Sequence, residues 1–125
     1  MIPTSTGAAK NIGTIFKHLN GKISGLAIRV PTPTVSMVDF VFLAKNPVSV
    51  DQINNVMINA SKSDLSGVLG ACDDPVVSSD FIGNVNSAVV DLGLTSVINN
   101  NLCKVIAWYD NELAFAVRML DICEF

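Results

Sequence analysis

Several places in the sequence bring together residue types that can do chemistry. The first is Thr4-Ser5-Thr6-Gly7-Ala8-Ala9-Lys10, where hydroxyls and a glycine stand directly before a run with helical spacing. The first N–H groups of a helix lack intrahelical acceptors and carry partial positive charge, so a hydroxyl beside them favours an anion such as phosphate. The same residues also suit a plain capping role for Ser5 or Thr6. The second place is Arg29, the only charged side chain between Ile23 and Val38. A lone charge at the end of an apolar strand is costly without a partner. Its guanidinium fork matches phosphate oxygens, and a salt bridge to an acid such as Asp39 would answer the same need. The third is Asn111, in Asp110-Asn111-Glu112 ahead of the last apolar run; taken as residues alone it reads as the N-cap of a final helix.

The cysteines offer less. Cys72, Cys103 and Cys123 show no C-x-x-C spacing, and His18, the only histidine, is far from them in sequence. They read as reduced, mostly buried packing thiols in a cytoplasmic protein rather than as nucleophiles or zinc ligands, so neither a catalytic residue nor a metal site is assigned. His18 reads as a surface cation near the end of the first helix. Ser78-Ser79-Asp80 carries hydroxyls and an acid, but it reads as part of a strand.

The composition bounds the partners. The chain has 125 residues, 50% apolar and 15% charged, with eight basic and eleven acidic side chains and a net charge of −3. That suits one domain able to bury a core. No cluster of Lys and Arg marks a nucleic-acid or anionic-membrane surface. Met1-Ile2-Pro3-Thr4 lacks the pattern of a secretory leader. The most apolar window, Val35 to Ala44, is too short to span a bilayer and contains Asp39. For a small domain the apolar fraction is high, which implies a dense core or apolar surface that meets something outside the chain.

These residues must be positioned by a few elements. Ile12, Ile15, Phe16 and Leu19 recur at helical steps, so a helix is expected from Ser5-Thr6-Gly7 to about Leu19, stopped by Asn20-Gly21. Lys22 to Val30 reads as a strand ended by Pro31. Val35 to Ala44 is apolar on both faces and reads as a central, doubly covered strand. Ser49 is the expected cap of a helix from Val50 to about Ser61, with Val50, Ile53, Met57 and Ala60 inward. Strands are expected at 67–72, 76–81, 87–92, 94–98 and 102–109, with Asn99-Asn100-Asn101 as a turn. A last helix runs from Asp110-Asn111-Glu112 to the end. It is apolar on two sides, which suits a helix between two layers, one of them supplied from outside. The fold class is therefore α+β: a mixed, largely antiparallel sheet with helices packed on one face.

The ordered series Thr4-Ser5-Thr6-Gly7-Ala8-Ala9-Lys10, Leu19-Asn20-Gly21-Lys22, Arg29-Val30-Pro31-Thr32, Val35-Ser36-Met37-Val38-Asp39, Val77-Ser78-Ser79-Asp80-Phe81 and Trp108-Tyr109-Asp110-Asn111-Glu112 resembles the C-terminal part of the phosphorylating glyceraldehyde-3-phosphate dehydrogenases. The resemblance covers essentially the whole chain. It implies one incomplete catalytic domain over 1–125, without the family's N-terminal Rossmann domain that binds NAD and without its catalytic Cys and His. It implies phosphate-binding roles for Thr6, Gly7 and Arg29, and contact of Asn111 with the nicotinamide carboxamide of NAD. The implied substrates are glyceraldehyde 3-phosphate and inorganic phosphate, used in glycolysis by thiolate attack, hydride transfer and phosphorolysis. The implied assembly is a homo-oligomer joined through the sheet, or association with other dehydrogenase chains. After Glu112 the family usually continues Phe or Trp, Gly, Tyr, where this chain has Leu113, Ala114 and Phe115; Val117 replaces a usual asparagine. Two non-catalytic alternatives remain open at this point, an oligomerisation or interaction module and a decayed remnant of the enzyme.

Overall fold

A computed structural model describes residues 1–124, with all their side chains except that of Lys10. The described residues form two compact units, Met1–Pro33 and a larger one from Thr34 onward.

The first unit holds β1 (Ile2–Thr4), α1 (Ala8–Ile15), a 3-10 turn at Lys17–Leu19 and β2 (Ala27–Arg29). β1 and β2 are antiparallel, with Ile2 opposite Arg29 and Thr4 opposite Ala27. The strand expected at 22–30 contracts to β2, because β1 offers only three residues to pair with. The first helix ends at Ile15 rather than Leu19, and the chain continues through the 3-10 turn to double back. That return brings Asn20 over Gly13, where an added Cβ would lie 3.2 Å from the Asn20 Cα. Among the described residues of this unit only Gly13 is buried, while Ile15, Phe16, Leu26 and Ile28 are exposed.

The second unit is built on a four-stranded sheet of β3 (Ser36–Leu43), β4 (Leu69–Cys72), β5 (Ala88–Ile98) and β6 (Leu102–Tyr109), in the order β3-β6-β5-β4. β3 and β5 run antiparallel to β6, and only the β4–β5 pair is parallel. The sheet is thus mixed and largely antiparallel, and the fold is α+β, as the pattern predicts. β3 lies at an edge, however, and both its faces are largely exposed. Its two-sided apolar pattern predicts a covered strand, but among the described residues no strand lies beyond it in the sheet.

α2 (Val50–Lys62) follows from local chemistry. Ser49 Oγ accepts from the Gln52 N–H at 3.2 Å, and Gln52 Oε1 accepts from the Ser49 N–H at 2.9 Å. This reciprocal cap satisfies two helix-start donors. Ile53 then enters a core with Val90, Leu92, Cys103 and Val105, and half-buried Met57 packs beside it. Each such side chain contributes about 1.5–3 kcal/mol by leaving water.

On the opposite face Val35, Phe81 and Val89 form a smaller cluster with Trp108 against it. Phe81 belongs to a 3-10 turn, Ser78–Phe81, in place of the strand expected at 76–81. The Asp80 carboxylate accepts the Val77 N–H at 2.7 Å and closes that turn locally. The two strands expected at 87–92 and 94–98 are a single strand, β5, whose register shifts between Asp91 and Ser96. Gly93 therefore marks a bulge and not a turn. The β5–β6 turn is where the three asparagines predict it, with Asn99 and Asn100 at φ 50° and 61°. Val35 adopts φ 68°, a left-handed conformation rare for a β-branched residue.

α3 (Leu113–Cys123) closes the described chain. Ala114 is buried, whereas Phe115, Met119, Leu120 and Ile122 are 54–75% exposed. The two-sided apolar helix is present, and one side lies bare.

Candidate functional site

β1 delivers Ser5, Thr6 and Gly7 to the start of α1, with Gly7 in the N-cap position. Thr6 Oγ1 accepts the Ala8 N–H at 3.2 Å, so the capping role falls to Thr6 and not Ser5. An oxygen used as acceptor leaves its own O–H free to donate, and the following first-turn N–H groups have no intrahelical acceptor. Donors therefore converge at one end of α1, as an oxyanion requires. Thr6 also lines a cavity of about 340 Å³ inside the first unit, together with Ala9, Gly13, Asn20 and Ser24. A larger, apolar groove of about 630 Å³ runs between α2 and the loop at 44–48, and none of the predicted site residues line it.

Arg29 closes β2. Its side chain is exposed and, among the described residues, has no hydrogen bond or ion pair. Asp39, the acid considered as its alternative partner, instead binds Lys104 at 2.7 Å. Because Arg29 stands opposite Ile2, it lies about four residue steps, up to roughly 13 Å of main chain, from Thr6. Thr6 and Gly7 are adjacent, whereas Arg29 is on the strand paired with the one that precedes them.

Asn111 lies in the second unit, after β6. It does not cap α3; the neighbouring residue does. Asp110, 5% exposed, accepts the N–H groups of Glu112 and Leu113 on Oδ1 at 2.9 and 3.0 Å, and that of Gly83 on Oδ2 at 2.9 Å. The Gly83 N–H contributes most, followed by those of Leu113 and Glu112, and together they hold the Asp110 carboxyl below its ordinary value against the opposing effect of burial. Sequence reasoning missed this cap because Asp and Asn are near-equal cap residues and the two stand side by side. The Asn111 side chain, released from capping, is exposed and accepts from the Ser36 hydroxyl at 3.5 Å through Oδ1.

The WYDNE segment has a second buried acid behind it. Trp108 Nε1 donates to Asp91 Oδ2 at 3.0 Å, and its ring stacks on Phe81 at 5.8 Å with 13° between the planes. Asp91 is 5% exposed, so the indole N–H serves a carboxylate removed from water. Only its place as the one charged residue of β5 could have drawn attention to it.

The thiols differ from one another. Cys103 is fully buried and Cys72 half-buried, whereas Cys123 on α3 is exposed and departs from the expectation of mostly buried thiols. All three are free, and the second unit contains no histidine. His18 is exposed in the 3-10 turn of the first unit, edge-on to Phe16 at 6.3 Å. Among the described residues no group of three His, Cys, Asp or Glu side chains could hold a metal ion, and no helix is long and apolar enough to cross a membrane.

Comparison with known proteins agrees with this architecture. The family described as glyceraldehyde 3-phosphate dehydrogenase, C-terminal domain, matches residues 1–111. The chain is 45% identical over 125 residues to a glyceraldehyde-3-phosphate dehydrogenase of Priestia megaterium, covering all of this chain and 37% of that protein. It is 49% identical over 121 residues to the Xanthobacter flavus enzyme, covering 97% of this chain and 36% of that protein. Glyceraldehyde-3-phosphate dehydrogenase 2 of Caenorhabditis briggsae is 43% identical over 125 residues, again with 37% of its length covered. The chain thus spans little more than a third of the length of these relatives. The ordered motifs, the mixed sheet and these matches agree: the chain belongs to the glyceraldehyde 3-phosphate dehydrogenase C-terminal domain family.

Proposed function

We propose that this chain is the phosphate-gripping part of an NAD-dependent, phosphorylating glyceraldehyde-3-phosphate dehydrogenase of cytoplasmic glycolysis. Its substrates are glyceraldehyde 3-phosphate and inorganic phosphate. Thr6 and Gly7 present donors to one phosphate, and Arg29 supplies the cation that phosphate groups need. The observation that carries the reading is Arg29 itself, an exposed guanidinium with no partner among the described residues, on the strand paired with the one that leads to Thr6-Gly7. An arginine kept free beside a helix start suits a dianion better than it suits the fold.

The nucleophilic cysteine and its base, with the Rossmann domain for NAD, belong to sequence outside these 125 residues. No thiol here has a histidine near it in sequence, and Cys103 is shut from solvent. NAD would supply the hydride acceptor. The residues present fit its carboxamide end alone: Asn111 is exposed, and its backbone is fixed by the Asp110 bonds on its C-terminal side. This polypeptide by itself is expected to bind anions without turnover, since the covalent route needs the thiolate. Homo-oligomerisation through the sheet completes the reading.

Titration of phosphate and sulfate into the chain by calorimetry tests it. Arg29→Ala should weaken binding about tenfold or more, by loss of a charge-assisted contact, with the fold intact by circular dichroism. Equal affinity in the variant rejects the assigned role. A second reading, a non-catalytic interaction module, is favoured by bare apolar side chains on α3, where Phe115 is 67% and Ile122 75% exposed. Strong binding of a hydrophobic dye, lost on replacing these residues by lysine, would support it.

A further inference from the structure

Asn20 is the one asparagine of the chain that is followed by glycine. In Asn-Gly the main-chain nitrogen can attack the preceding side-chain amide with least hindrance, because glycine adds no side chain and leaves the backbone free to turn. The local structure favours this reaction. Asn20 leaves the 3-10 turn at ψ 128°, and Gly21 follows at φ 73°, where a Cβ would meet nothing within 4 Å. Among the described residues the Gly21 N–H donates to no acceptor and the Asn20 side-chain amide holds no hydrogen bond, so neither reacting group is tied. Other asparagines differ. The nitrogen after Asn86 donates to the Val68 carbonyl at 2.8 Å, and the nitrogen after Asn100 donates to the Ile98 carbonyl at 3.2 Å. Asn84 precedes the stiff, β-branched Val85. The place of Asn20 also matters. Its Oδ1 would lie 3.3 Å from a Cβ on Gly13, and Asn20 lines the same cavity of about 340 Å³ as Thr6.

We propose that Asn20-Gly21 is a site of spontaneous deamidation, which places a carboxylate in the cavity lined by Thr6 and weakens anion binding there. The Gly21 nitrogen bonds to Cγ of Asn20 and loses its proton, and the amide nitrogen of Asn20 leaves as ammonia. The product is a five-membered succinimide. Water then opens the ring at one of its two carbonyls. Opening at the side-chain carbonyl gives aspartate, and opening at the main-chain carbonyl gives isoaspartate, whose chain runs through the side-chain carbons. In sum an amide and one water become a carboxylate and ammonium, with no change of oxidation state. Both reacting groups belong to consecutive residues, so the step needs nothing beyond this turn and water. Either product carries a negative charge that Asn20 lacks. That charge repels a second anion in the shared cavity, and it stands beside the last turn of α1, whose unpaired carbonyls already disfavour a carboxylate. The modification rests on the turn alone, and its effect on anions rests on the phosphate reading.

Incubation of the chain in mildly alkaline buffer, followed by peptide mapping with mass spectrometry, tests the modification. Residue 20 should become one dalton heavier and split into aspartate and isoaspartate forms while Asn86 and Asn100 stay unchanged. Gly21→Ala should slow the gain about tenfold or more. Asn20→Gln, whose attack would need a larger ring, should show no gain over the same period; circular dichroism certifies the fold of each variant. Sulfate titration by calorimetry tests the effect on anions. In the incubated chain and in Asn20→Asp the dissociation constant should rise about threefold or more over that of fresh chain, and Asn20→Gln should bind alike before and after incubation. The proposal is overturned by an unmodified residue 20, by deamidation of Asn86 or Asn100 at the same pace, or by equal sulfate affinity in fresh chain and Asn20→Asp. A fresh chain that binds no sulfate fails the phosphate reading and the effect on anions with it, while the mass gain still decides the modification.

Discussion

The two units of this chain divide labour unequally. From Thr34 onward, a four-stranded sheet and α2 enclose a core around Val90, Cys103 and Ile53, and a second cluster gathers at Phe81. Among the described residues of Met1–Pro33 a single glycine is buried, and Ile15 of α1 and Ile28 of β2 are exposed. Yet it is the first unit that carries Thr6, Gly7 and Arg29. The groups proposed to bind anions sit on the part with the least packing of its own. Three-residue strands and an eight-residue helix are marginal alone.

The contrast is broken most directly through paired truncations. Ile53→Ala, which opens the core, should cost about 2–5 kcal/mol in chemical denaturation, whereas Ile15→Ala on α1 should change stability by no more than about 0.5 kcal/mol. Comparable losses would mean that the first unit has a core of its own. Native-state hydrogen exchange should rank the same way, with amides of 8–15 exchanging well before those of 88–109. Ser49→Ala sharpens the picture at the next scale. It removes a two-way cap from a packed helix and should cost about 1 kcal/mol, a penalty that Thr6→Ala on the loosely packed α1 should not match in global unfolding. The smallest effect appears only in acid. The Asp110 carboxyl titrates below its ordinary value in the fold. Its contribution is therefore complete above the unfolded value near 3.9 and is lost as pH falls through the lower folded value. Stability of the second unit should be insensitive to this group from neutral pH to about 5 and should decline below about 4. Asp110→Asn should make the acid limb shallower, and identical limbs would refute the link.

Much of the second unit was readable because its signals are local. Ser49 and Gln52 announce α2 through hydrogen bonds that reach three residues, and the asparagines at 99–101 accept left-handed turns as few residues do. The misreadings came from information carried by neighbours. β3 has the composition of a central strand, but position in a sheet depends on what lies beside it. Gly93 looks like a strand break until β6 is there to pair across the bulge. Val76 to Phe81 has strand-forming residues at both ends, and one side-chain bond from Asp80 bends it into a turn. Among the candidate site residues Arg29 stands out by type, because a lone cation among apolar residues is conspicuous, whereas the roles proposed for Thr6 and Gly7 rest on the family resemblance. The Asp110 cap was not legible, because Asn111 beside it is an equally good cap residue by type and only the fold shows which of the two takes the Glu112 and Leu113 N–H groups.

Val35 carries one more consequence. Its left-handed backbone costs about 1–2 kcal/mol relative to an ordinary conformation, while its side chain, 7% exposed against Phe81 and Val89, returns about as much by burial. Glycine at this position would relax the first quantity and forfeit the second. Thermodynamic stability would hardly register the exchange, yet the aromatic pair of Phe81 and Trp108 would lose a wall. The position is thus one where a nearly silent substitution, by melting temperature, would still loosen the support beneath the segment that presents Asn111.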